Sequence, residues 1–106
     1  MGDSITEGDG SSNKSLFSYP AQLQQLILKN NLDFEVINFG RSGKTATMNV
    51  SDSYVVLPTY KEALSSHPDI VIIMLGTNDA KNHIWDEDKF IRDYSDICKN
   101  FLKVSK

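Results

Sequence analysis

Apolar positions recur along this chain with two different periods. In residues 18–30, Tyr19, Leu23, Leu26 and Ile27 fall at helical spacing. Ser18 stands where an N-cap is needed, Pro20 suits the first turn, and Asn30-Asn31 supplies a stop. Residues 34–37 predict a short strand, and residues 59–66 a short helix closed by His67-Pro68. The run Ile70-Val71-Ile72-Ile73-Met74-Leu75 is continuous, rich in β-branched residues and ends at Gly76. It reads as a parallel strand buried on both faces. Residues 86–104 predict the longest helix, with Phe90, Ile91, Tyr94, Ile97, Cys98, Phe101 and Leu102 forming one apolar stripe and Glu87 and Asp88 in its first turn. Cys98 lies on that stripe and reads as a core residue. Residues 1–14, rich in Gly, Ser and Asp, read as a loop, and residues 46–58 show no period.

Strand alternating with helix is the pattern of an α/β fold: a parallel sheet between two helical layers, with functional groups on loops at the carboxyl ends of the strands. Three loops have that placement: residues 2–8, 38–45 and 76–82. Composition narrows the choice further. The 106 residues suffice for one domain, and the formal charge of −3 is spread along the chain, which argues against nucleic acid or a charged membrane surface as partner. The single cysteine excludes an intrachain disulfide and a multi-cysteine zinc site, and no metal-ligand spacing appears. No apolar run approaches the roughly 18 residues of a membrane span. The sequons Asn13-Lys14-Ser15 and Asn49-Val50-Ser51 are what asparagine- and serine-rich loops produce by chance.

The three loops carry Gly2-Asp3-Ser4, then Asn38-Phe39-Gly40-Arg41-Ser42-Gly43, then Gly76-Thr77-Asn78-Asp79. In order and placement they resemble the blocks of the SGNH hydrolases, the GDSL esterase family: Gly-Asp-Ser, an isolated Gly, and Gly-x-Asn-Asp. The resemblance covers the whole chain and implies a serine ester hydrolase that needs no cofactor, on a three-layer, flavodoxin-like fold. Ester hydrolysis needs a nucleophile, a base and donors aimed at the developing oxyanion. By resemblance, Ser4 is the nucleophile, and the oxyanion hole comprises the N–H groups of Ser4 and Gly40 and the side-chain amide of Asn78. Asp3 and Asp79 are then orienting or loop-bracing residues. Lys81 and Trp85 after the third block look most like members acting on acetylated carbohydrates, of the sialate or xylan O-acetylesterase kind. Trp85 is then either a sugar-stacking platform or an apolar plug before the last helix.

The sequence departs from that pattern in two places. The family draws its base from a late Asp-x-x-His block, and none is present; His67 precedes the apolar strand, and His83 falls in the wrong block. Only Met1 precedes Gly2, where a first, central strand of about five residues is expected. The expectation is therefore a partial domain spanning residues 1–106, without most of the first strand or the C-terminal half, and nearly inactive alone. Two rival readings follow. One is a non-catalytic carbohydrate-binding or interaction domain on the same scaffold. The other is a phosphate-binding loop at Gly40-Arg41-Ser42-Gly43-Lys44-Thr45, which requires a helix starting at Lys44-Thr45.

Overall fold

The computed structural model describes residues 1–81 and 83–104; Asn82, in the third loop, lies outside them. Among the described residues there are five α-helices: α1 (Ser4–Glu7), α2 (Lys14–Phe17), α3 (Tyr19–Lys29), α4 (Pro58–Ser65) and α5 (Glu87–Val104), with a 3₁₀ turn at Tyr54–Val56. The three longer helices fall where the periodicity places them. Ser18 caps α3 by accepting from the Ala21 N–H, Pro20 occupies its first turn and Asn30 ends it. Asp86 caps α5 by accepting from the Lys89 N–H at 3.1 Å. The short α1 and α2 lie in the segment expected to be loop, each nucleated by a side chain bonding forward: Asp3 to the Ile5 N–H and Asn13 to the Ser15 N–H.

Gly2 is the meeting point of the sheet. It forms parallel bridges to Gly40 on one side and Met74 on the other. The Arg41 N–H donates to the Gly2 carbonyl and the Met74 N–H to the Met1 carbonyl, both at 3.0 Å. Extended segments 33–39 and 69–75 therefore run parallel, one on each side of the chain's first residues. Sheet pairing among the described residues is confined to these bridges and one between Thr45 and Ser53.

The run at 70–75 is covered on one face only, which corrects the expectation of a doubly buried strand. Val71, Ile73 and Leu75 pack against the core of Tyr54, Tyr60, Ala63, Ile97 and Phe101, whereas Ile70 and Ile72 are 68% and 48% exposed. The core is built where α4 and α5 meet, with Tyr60 edge-on to both Tyr54 and Phe101. Tyr54 and Ala46 are fully buried, although residues 46–58 show no period. On α5 the inner face carries Phe90, Tyr94, Ile97 and Phe101; Ile91 and Leu102 point to solvent, and Cys98 is only partly buried. Residues 44–52 form turns and bends rather than a helix, which removes the phosphate-loop geometry.

Candidate active site

Ser4 begins α1, so its backbone N–H belongs to the first helical turn and needs no helical partner. Its side chain is half-buried, next to the fully buried Asp3. Asp3 holds the turn by accepting from the Ile5 N–H at 3.0 Å. Only glycine fits at position 2, where α1 folds back close to the chain: a Cβ would sit 2.0 Å from Thr6 Oγ1 and 2.8 Å from the Met74 carbonyl.

The second loop is tied to α1 at two levels. Asn38 donates to the Thr6 carbonyl and accepts from the Gly40 N–H, both at 2.8 Å. Further along, Glu7 Oε2 accepts from the Ser42 N–H at 2.7 Å and from the Ser42 hydroxyl at 2.5 Å. Asp9 also contacts that hydroxyl and pairs with Lys14 at 2.8 Å. The Ser42 hydrogen bonds hold the Glu7 carboxyl below its ordinary range.

These bonds change the reading of Gly40. Its N–H is spent on Asn38, and the residue is buried against α1, where a Cβ would meet the Glu7 nitrogen at 2.4 Å. Glycine is required there for close backbone approach, and the N–H is not free to receive an oxyanion. Gly43 is the contrasting case. Its φ is +76°, the space where a Cβ would lie is open, and among the described residues its N–H has no partner. Ser42 anchors Gly43 to α1 on one side, and Asn78 anchors it on the other by donating to the Lys44 carbonyl at 3.0 Å. One hydrogen of the Asn78 carboxamide remains for a further acceptor.

The third loop is braced from below. Asp79, fully buried, accepts from the Ala46 N–H at 3.0 Å, the Thr47 N–H at 2.7 Å and the Thr47 hydroxyl at 2.6 Å. Asp93 on α5 repeats the device by accepting from the Met48 N–H at 2.8 Å, a contact that sequence spacing did not single out. Trp85 is half-exposed and leans on Phe90, with ring centroids 5.2 Å apart, so it serves as a cover for α5 while keeping one surface open. Neither histidine joins the site through a bond to Ser4. His67 is exposed, and its Nδ1 lies 3.2 Å from the Val104 carbonyl; His83 is exposed in the third loop.

Three comparisons bear on this arrangement. Residues 1–104 match the GDSL-like lipase/acylhydrolase family. An acetylxylan esterase of Xylanibacter ruminicola is 39% identical over 85 residues, which are 80% of this chain and 17% of that protein. The crystal structure of AlinE4, an esterase of the SGNH-hydrolase family, and that of its D162A mutant superpose with a TM-score of 0.75 at 26% identity. Each superposition covers 97% of this chain and 51% of the other, so the chain spans about half of these structural neighbours and a sixth of the curated relative. The neighbours place the chain in the α/β class, and the match over residues 1–104 shows that the chain belongs to the GDSL-like lipase/acylhydrolase family.

Proposed function

We propose that these loops form the nucleophile and oxyanion half of a serine esterase that removes O-acetyl groups from carbohydrate. Ser4 Oγ attacks the acetyl carbonyl, and the charge on its oxygen is received by the N–H groups of Ser4 and Gly43 and the free hydrogen of the Asn78 carboxamide. The observation that supports this reading is the double tether of Gly43, through Ser42 to Glu7 and through Lys44 to Asn78. It fixes an otherwise unsupported loop with its N–H unspent. Gly40 keeps the loop close to α1 and does not donate. The acetyl-carbohydrate preference rests on likeness to the acetylxylan esterase and on the half-open ring of Trp85 beside the third loop. A second reading, a non-catalytic carbohydrate-binding or interaction domain on the same scaffold, draws on the half-exposed ring of Trp85.

A fluorophosphonate at high concentration, with imidazole added as proton acceptor, separates the two, since trapping requires an activated nucleophile and an anion-receiving pocket but no acyl turnover. The expected result is one adduct at Ser4 by mass spectrometry, absent in Ser4→Ala and formed about tenfold or more slowly in Asn78→Ala. No adduct, or equal rates in wild type and Asn78→Ala, would overturn the esterase reading.

A further inference from the structure

Segment 33–39 has two edges, and they are used differently. In extended chain, peptide groups of successive residues point to opposite edges. The Arg41 N–H meets Gly2, so the odd-numbered residues of this segment turn toward Gly2 and the even-numbered ones turn away. The outward edge is met by a side chain. Gln24, on the flank of α3, accepts from the Val36 N–H at 2.6 Å and donates to the Phe34 carbonyl at 3.0 Å. These two groups flank Glu35, and they are the pair that one residue of a parallel neighbouring strand engages. The carboxamide carries a donor and an acceptor on one carbon and supplies both. The adjacent glutamines of α3 act differently: Gln22 donates to the Phe17 carbonyl, and Gln25 is exposed with no partner among the described residues.

An edge with free donors and acceptors is a template for another chain. This edge is complementary to itself. With a two-fold axis at Val36, antiparallel pairing sets Val36 against its own copy, Phe34 against Asn38, and Glu35 against Ile37. No like charges are opposed, and the β-branched Val36 and Ile37 suit a strand. The side-chain pattern therefore permits the pairing. Gln24 stands in its way, because it holds the Val36 N–H at the centre of that register. We infer that Gln24 is a built-in block on this edge: its carboxamide stands in for a neighbouring strand and keeps two copies of the chain from pairing through residues 34–38. The surface is a closed one, and its partner when opened is the same edge of a second molecule.

Sedimentation velocity and amide exchange of Gln24→Ala against wild type test this. In wild type the Val36 amide should exchange slowly at every protein concentration, because its acceptor is intramolecular. In dilute Gln24→Ala it should exchange about tenfold or more faster. As concentration rises, that variant should self-associate at least about tenfold more tightly than wild type, and the amides of Phe34, Val36 and Asn38 should slow together. Gln25→Ala should behave as wild type. Gln24→Glu keeps the acceptor for Val36 and adds a charge to the edge, so it should associate no more than wild type. Association of Gln24→Ala no tighter than that of wild type would overturn the proposal, and so would association that leaves the Val36 amide fast. If Gln24→Ala does not fold, wild type still decides. NMR should detect scalar coupling across the hydrogen bond, from the Val36 nitrogen to the Gln24 carboxamide carbon, and its absence would overturn the proposal.

Discussion

Thr47 gives both its backbone N–H and its hydroxyl to a single oxygen of Asp79, at 2.7 and 2.6 Å, with all of these groups buried. The carboxylate's other oxygen takes the Ala46 N–H. This one side chain therefore fixes the start of residues 46–58 to the loop that presents Asn78. Asp79→Ala leaves two buried N–H groups without acceptors, and the expected loss is about 3 kcal/mol or more in urea unfolding. Asp79→Asn retains one acceptor oxygen and should lose less. Equal stability of Asp79→Ala and wild type would show that water satisfies these groups.

Gly40 and Gly43 should respond in opposite ways to the same substitution. Alanine at Gly40 drives a methyl into the backbone of Thr6 and Glu7, at 2.4 to 2.9 Å, where nothing flexible can move aside. Gly40→Ala should unfold the chain or lower its thermal midpoint by more than about 10 °C. Gly43→Ala meets open space and only the cost of a left-handed residue, about 1 kcal/mol. It should fold while trapping fluorophosphonate more slowly. Circular dichroism melts of both variants decide the first half, and labelling rates the second.

That contrast also marks how far the sequence could be read. Helices α3, α4 and α5 were legible because their apolar faces repeat and their ends carry caps: Ser18, Pro20 and Asn30 define α3 without any tertiary information. The three functional loops were legible because Gly, Ser, Asn and Asp collect at strand ends. The different settings of Gly40 and Gly43 were not. Both are glycines in one loop, and what separates them is a long-range bond from Asn38 to Thr6 and the approach of α1. The burial of Tyr54 and Ala46 was hidden for a similar reason. Their segment has no period, and it is held by Asp79 and Asp93 from distant helices and loops. The run at 70–75 misled in the other direction, since unbroken apolar sequence does not say which of its faces the core covers: Val71, Ile73 and Leu75 pack on it and Ile70 and Ile72 do not.

Glu7 links pH to the position of Gly43. Its carboxyl is held below the ordinary glutamate range, first by the hydrogen bond from the Ser42 hydroxyl. A depressed folded value means that the bonds contribute fully above the unfolded glutamate value and are lost as pH falls through the lower, folded one. Carbon-detected NMR should show Glu7 titrating below free glutamate in wild type and shifting upward in Ser42→Ala. The Gly43 amide resonance should move with the same titration in wild type. A Gly43 amide indifferent to Glu7 protonation would mean the tether does not set its position.

Hydrolysis without a resident base is the sharpest test of the site. A serine hydroxyl at its ordinary pKa is a weak nucleophile, and general-base assistance contributes typically about 100- to 10,000-fold. The chain by itself should therefore turn over an activated acetyl ester barely faster than buffer, with Ser4→Ala changing little. Imidazole added in solution offers a proton acceptor to the half-buried Ser4. The ester rate in imidazole, corrected for imidazole's own reaction, should rise for wild type and not for Ser4→Ala or Asn78→Ala. Rapid Ser4-dependent turnover with no imidazole would require a base within the chain, and His83 would be the first residue to replace. An imidazole-dependent rate that survives Ser4→Ala would place the reacting group elsewhere and remove Ser4 from the chemistry.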